Sequence, residues 1–312
     1  MKRVTALRAR TSCAFMALMV VPAWHDTHSA DGPGLPAHSA PSEWTLHGHS
    51  FDEQRHSPLT RINVATADRL GLAWTFDDFV VRGRTHRGTQ ATPLMHDGVL
   101  YFTGPWSVVY AIDARTGARR WTYDPEVEGA WARRTCCDAV NRGVALWKGT
   151  IYVGTLDGWL VALDAATGKL RWRVDTLIDR TRSYSITGAP RVAGDNIVIG
   201  NGGAELGVRG YVSAYDATTG RLSWRFYTVP GAGRDEHPEV AVARKTWSQN
   251  ARWEFGGGGT VWDSMTYDPE LGLLYVGVGN GGPWSSWVRN GGERQDNLFL
   301  SSIVALNAKT GR

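Results

Sequence analysis

The sequence predicts an all-β chain, a β-propeller of four-stranded antiparallel blades. Three observations predict it. A seven-residue unit recurs as Ala111-Ile112-Asp113-Ala114-Arg115-Thr116-Gly117, Ala162 to Gly168 and Ala214 to Gly220, at intervals of 51 and 52 residues. A tryptophan (Trp121, Trp172 or Trp224) stands ten residues after the first alanine of each unit. Apolar, β-rich runs such as Gly98 to Phe102 and Thr150 to Val153 precede the units. A tandem series of sheets, each about fifty residues long, is the signature of a propeller. A β-sandwich with accidental spacing would not give three matching units.

Taken in order, the chain opens on Lys2, Arg3, Arg8 and Arg10, followed by the apolar run Cys13 to Ala23 and then small residues. That is the basic, apolar and cleavage zone of a secretory signal peptide, with cleavage expected after Ala23 or Ala30. Residues 1–30 are therefore read as a leader and 31–312 as propeller. Removing the leader takes four of 34 basic and one of 30 acidic residues, leaving 30 and 29. Such balance gives nucleic acid no electrostatic footprint. No apolar run reaches the roughly 18 residues that span a bilayer. A polar stretch from Asp31 to Pro41 precedes Glu43 to Trp74, which includes an amphipathic segment from Asn63 to Leu72.

Each repeat then has a local reading. Strands flank an Asp-x-x-Thr-Gly turn, in which aspartate bonds nearby backbone and glycine supplies positive φ. The tryptophan on the following strand fills the space between neighbouring sheets. Ala305 to Gly311 is a fourth copy with Asn307 in place of aspartate, and its tryptophan would fall beyond Arg312. The expectation is a partial propeller that stops inside a blade.

Cys136 and Cys137 are adjacent in a loop, with Arg142 five residues on. Joined, they would close a strained ring of a kind kept at functional sites; unjoined, they are two thiols filling a small apolar pocket. Residues alone leave both readings open.

Four motifs occur in order: Gly88-Thr89-Gln90-Ala91-Thr92-Pro93-Leu94, Cys136-Cys137-Asp138-Ala139-Val140-Asn141-Arg142-Gly143, Gly202 to Gly210, and Gly258-Gly259-Thr260-Val261-Trp262. With the tryptophan repeats they resemble the type I pyrroloquinoline quinone (PQQ)-dependent alcohol dehydrogenases, from about Glu43 to Arg312. Members are eight-bladed periplasmic propellers, so the chain would cover roughly the first half. The resemblance implies that Cys136 and Cys137 form a vicinal disulfide against one face of PQQ, with Trp262 stacked on the other. It implies that Arg142 meets a cofactor carboxylate, that Thr187, Gly203, Ala204 and Thr260 line the rim, and that Gln90 takes a cofactor-binding position filled by glutamate in methanol dehydrogenases and by glutamine in some ethanol dehydrogenases. Glu205 and Asn280 match two ligands of a metal ion, Ca2+ by the hardness of its oxygen donors, with a lanthanide left open. The metal would polarise the quinone carbonyl that accepts hydride.

The family's general-base aspartate has no match; it is expected beyond Arg312, and neither Asp263 nor Asp296 is assigned that role. The implied reaction oxidises a small primary alcohol to an aldehyde and passes electrons to a cytochrome c; a homodimer stays open. The alternative is a non-catalytic periplasmic propeller serving as a scaffold in outer-membrane assembly. Only the enzyme uses Cys136, Cys137, Glu205 and Trp262 together.

Overall fold

The computed structural model describes residues 40–83, 88–233 and 237–312. The expected leader, its two cleavage sites and nearly all of the polar stretch after it lie outside the described residues. Three four-stranded sheets follow one another along the chain. The first holds β1 (Leu94–His96), β2 (Val99–Thr103), β3 (Val109–Asp113) and β4 (Arg119–Tyr123). The second holds β5 (Ala145–Trp147), β6 (Thr150–Gly154), β7 (Trp159–Asp164) and β8 (Leu170–Asp175). The third holds β9 (Arg191–Ala193), β10 (Asn196–Gly200), β11 (Tyr211–Asp216) and β12 (Leu222–Tyr227). In each, strands are ordered as in the sequence and every pair is antiparallel. Next, β13 (Gly257–Gly258) pairs with β16 (Gly281–Gly282), while β14 (Met265–Asp268), β15 (Leu273–Gly277) and β17 (Ile303–Asn307) make a three-stranded sheet. The amphipathic segment at 63–72 contributes one 3-10 turn, Ala67–Arg69, with Leu70 and Leu72 exposed.

The turns form for the local reason their residues suggest. Asp113 Oδ1 accepts from the Arg115 and Thr116 N–H groups and from Thr116 Oγ1, each at 3.0 Å. Asp164 and Asp216 do the same with Thr167 and Thr219. Asn307 reproduces the pattern with Thr310, because an amide oxygen accepts the bonds a carboxylate would.

Tryptophans on the fourth strands join one sheet to the next. Trp121 Nε1 donates to the Ala165 carbonyl (2.9 Å), Trp172 to Ala217 (3.2 Å) and Trp224 to Ala308 (2.9 Å). Each indole lies on the turn glycine of the following unit. A Cβ built on Gly168 would fall 2.7 Å from Trp121, one on Gly220 2.8 Å from Trp172, and one on Gly311 2.5 Å from Trp224. Trp74, ahead of the first unit, docks the same way on Ala114 (3.2 Å) and Gly117. The apolar cores accordingly lie between sheets: Leu94, Tyr101 and Val109 pack with Ile151 and Val161, and Ala145 and Tyr152 with Ile197 and Tyr215.

The turn glycine thus serves both backbone sign and space, and the two can be separated. Gly149 has φ +68° with nothing near its missing Cβ, whereas Gly220 has φ +71° beneath Trp172. Gly149→Ala should cost about 1–2 kcal/mol for left-handed backbone alone. Gly220→Ala should cost a further 1–3 kcal/mol or so for overpacking. Urea unfolding of both variants checks this; equal losses would refute the steric part.

Candidate functional site

The site grows from the run of main chain that leads into the second sheet and hydrogen-bonds to the segments ahead of the first and third. Asn141 is buried, and its Nδ2 donates to Ser107 Oγ (3.1 Å) and the Gly154 carbonyl (2.8 Å). Its Oδ1 accepts from Thr103 Oγ1 (2.9 Å) and the Gly143 N–H (3.0 Å). The Arg142 N–H donates to the Thr187 carbonyl at 3.0 Å, and the Arg142 carbonyl accepts from the Thr92 N–H at 3.1 Å. Gln90 is exposed and joins this group through the backbone, two residues before Thr92, which bridges to Gly143.

Upstream, Cys136 and Cys137 are joined as a vicinal disulfide with Cα atoms 3.8 Å apart. Of the two readings left by the residues, the structure takes the bonded one. The preceding 3-10 segment, Gly129–Arg134, anchors the pair on the second sheet. Arg134 lies 4.6 Å over the Trp131 ring and donates to the Arg180 carbonyl at 2.9 Å, and Arg180 lies 4.7 Å over Trp159. Cys136 is exposed and Cys137 half-buried.

Arg142, Thr187 and Trp262 come together directly. The Arg142 guanidinium lies 4.9 Å over the Trp262 ring, and its Nη1 donates to the Thr187 carbonyl at 3.1 Å. Burial lowers the Arg142 pKa from its usual value, opposed by the Asp263 carboxylate. Trp262 stays 46% exposed, leaving indole surface for a flat ligand beside a cation. Its position is set by glycines that let two backbones meet. A Cβ on Gly188 would fall 2.3 Å from the Trp262 carbonyl oxygen, and one on Gly200 2.0 Å from that of Val261.

Thr260 is buried, and its carbonyl accepts from the Gly279 N–H at 3.0 Å, which brings Asn280 alongside. The Asn280 carbonyl in turn accepts from the Gly259 N–H at 2.9 Å. Gly203 has φ +105°, and it opens the 3-10 turn Ala204–Leu206, on which Glu205 is exposed. A Cβ on Gly282 would lie 2.3 Å from the Ala204 carbonyl oxygen. Glu205 and Asn280 therefore stand on segments whose backbones touch. Among the described residues no three His, Cys, Asp or Glu side chains cluster in a way that suits a metal ion. The two residues offer hard oxygen donors of the type calcium takes, fewer than the six to eight it binds.

Sequence reasoning missed a half-buried ionic group next to Trp262 in the chain. Asp263 Oδ2 is 3.9 Å from Arg142 Nε, and Oδ1 is 3.8 Å from Arg191 Nη2. Arg191 also donates to the Met265 (3.2 Å) and Ala189 (2.9 Å) carbonyls, and its Nη1 sits 3.4 Å from His47 Nε2. Burial, then the Arg191 charge, pushes the His47 pKa down to about 2. No local pattern marks these residues, which assemble from distant parts of the chain.

A family model described as PQQ: glucose/ethanol/alcohol dehydrogenase, beta-propeller domain, matches residues 44–312. The chain is 58% identical over 275 residues to quinohemoprotein alcohol dehydrogenase ADH IIB of Pseudomonas putida, covering 88% of this chain and 39% of that protein. It is 45% identical over 287 residues to a 1-butanol dehydrogenase (cytochrome c) of Thauera butanivorans, covering 88% and 39%. The crystal structure of a quinohemoprotein alcohol dehydrogenase from Comamonas testosteroni matches with a TM-score of 0.82 at 51% identity, over 86% of this chain and 40% of that one. The chain thus spans 39–40% of the length of these relatives.

His47 gives the ionic group a pH signature. Its pKa is lower folded than unfolded, so its contribution is complete above about pH 6.5 and is lost as pH falls toward 2. Below about pH 6.5 the unfolded chain takes up a proton that the folded His47 does not, so acidification should lower stability through this residue. Urea midpoints of wild type and His47→Gln between about pH 7 and about pH 4.5 check it. The variant should lose less stability on acidification; parallel curves would refute the assignment.

Proposed function

The chain belongs to the PQQ-linked glucose/ethanol/alcohol dehydrogenase β-propeller family, and on that premise we propose that it supplies cofactor-binding blades of a periplasmic enzyme that oxidises a primary alcohol to an aldehyde. The observation that carries this is the exposed Trp262 indole under the Arg142 guanidinium, on the same main-chain run as the Cys136–Cys137 disulfide. A flat, anionic, aromatic cofactor fits that pairing of face and charge. When bound, PQQ supplies the two-electron acceptor and a metal ion the Lewis acid that polarises it.

The chain's own residues bind and orient. Trp262 and the disulfide supply two surfaces for a planar ring, and Arg142 a charged donor for a carboxylate. Thr187, Gly203, Ala204 and Thr260 are assigned to the cofactor rim, and Gln90 to a cofactor-binding position. The Glu205 carboxylate and the Asn280 amide oxygen are assigned to the metal, Ca2+ by donor chemistry. No described residue is assigned as the base that takes the alcohol proton; Asp263 already faces two arginines. A cytochrome c acceptor is supported by the cytochrome c-linked relative, which is named as a 1-butanol dehydrogenase. The periplasm is supported by the leader-like residues 1–30 and by a disulfide, which persists in oxidising compartments. A scaffold role would leave Glu205, Trp262 and the disulfide without use.

The full dehydrogenase carrying this sequence should reduce an artificial dye in the presence of alcohol, PQQ and calcium. Glu205→Ala should lower that rate about hundredfold at ordinary calcium and recover in part at high calcium, because a lost carboxylate weakens metal binding. Undiminished turnover in Glu205→Ala would remove Glu205 from the metal site. Absence of PQQ-dependent turnover in the wild type would overturn the function.

A further inference from the structure

Asp263 is costly where it stands. Its side chain is 22% exposed, Oδ1 is buried without a hydrogen-bond partner among the described residues, and both ion pairs are too long to be hydrogen bonds. A buried acceptor left unsatisfied is unfavourable, and in a native structure it calls for an explanation. The two charges it meets are themselves partly withdrawn from water, Arg142 at 19% and Arg191 at 14% side-chain exposure, so screening between them is weak.

What Asp263 does is visible at Arg142. The Nε side faces Asp263, Nη1 donates to the Thr187 carbonyl, and the guanidinium lies against Trp262. Nη2 has no partner among the described residues. A guanidinium has five donors in a fixed fork, so the Nη1 hydrogen bond and the charge facing Nε together set where Nη2 presents its hydrogens. Arg191 is in turn tied to the carbonyls of Ala189, Pro190 and Met265 and holds Asp263 from behind.

We propose that Asp263 is a positioning residue: backed by Arg191, it orients Arg142 on Trp262 so that the remaining guanidinium edge takes a carboxylate of a planar, polyanionic aromatic ligand. The identity of that ligand as PQQ rests on the proposed function. Asp263 acts through Arg142 and touches no ligand itself. Its negative charge alone would repel an anion, so orientation and field predict opposite signs.

That opposition makes the test decisive. PQQ binding with calcium present is followed by quenching of tryptophan fluorescence in wild type, Asp263→Asn, Arg142→Ala and the double variant, using the full chain. Asp263→Asn should weaken PQQ binding about five- to tenfold in the wild-type background and have no effect once Arg142 is gone. Asp263→Glu, which keeps the charge, should retain most of the affinity. Unchanged or tighter binding by Asp263→Asn, or an equal loss in both backgrounds, would overturn the proposal. If the wild type binds no PQQ, the proposed function falls, and the positioning role is judged by the same four proteins in urea unfolding. Non-additive losses there uphold the Asp263–Arg142 coupling, and additive losses overturn it.

Discussion

The structure depends on one repeated contact, an indole laid on a glycine of the next sheet. It needs three residues at once. Aspartate or asparagine must fold the turn, glycine must leave the space, and tryptophan must arrive from the preceding blade. Trp121, Trp172 and Trp224 each satisfy their only polar atom on an alanine carbonyl of that same turn, so burying the large ring leaves no donor stranded. The cores follow from this. With each sheet pinned to the next at its outer strand, apolar side chains of adjacent sheets face one another, and no single sheet needs a core of its own.

Where the sheets converge, the same economy of space is met by different glycines. Cβ atoms on Gly188, Gly200 and Gly210 would fall 2.3, 2.0 and 2.1 Å from the carbonyl oxygens of Trp262, Val261 and Gly259. The stretch from Gly259 to Trp262 is therefore pressed against the third sheet by its backbone, with the buried Val261 side chain packed among Val198, Val212 and Phe226. That frees Trp262 to remain exposed while its main chain is rigidly placed. A binding face built this way loses little conformational entropy when it receives a rigid ligand.

How much of this could be read in the sequence follows from range. The repeats were legible because each turn is a local event: Asp113, Thr116 and Gly117 meet within a few residues, and a fixed spacing brings Trp121 with them. Asn307 could be aligned for the same reason, since its amide oxygen keeps the two bonds to Thr310. Trp74 was missed as a docking residue because no complete unit precedes it, although its contacts with Ala114 and Gly117 match the others. The candidate site was legible through motifs and resemblance. Its ionic support was not, because His47, Arg191 and Asp263 carry no period, and burial of charge leaves no mark on neighbouring residues. His47 and Arg191 are separated by 144 residues.

Arg142 shows how scaffold and site share one loop without sharing one side chain. Its backbone N–H and carbonyl belong to the stitch between Thr187 and Thr92, whichever side chain it carries. Its guanidinium belongs to Trp262, Thr187 and Asp263. Asn141, one residue earlier, is the reverse: its side chain makes four buried hydrogen bonds to Thr103, Ser107, Gly143 and Gly154 and serves the scaffold. Loss of that amide would leave several buried groups unsatisfied and move the loop as a body. Loss of the arginine side chain leaves the stitch in place and changes the surface it presents. Adjacent positions in one loop thus separate a side chain that holds the blades together at 141 from one that faces the exposed Trp262 indole at 142.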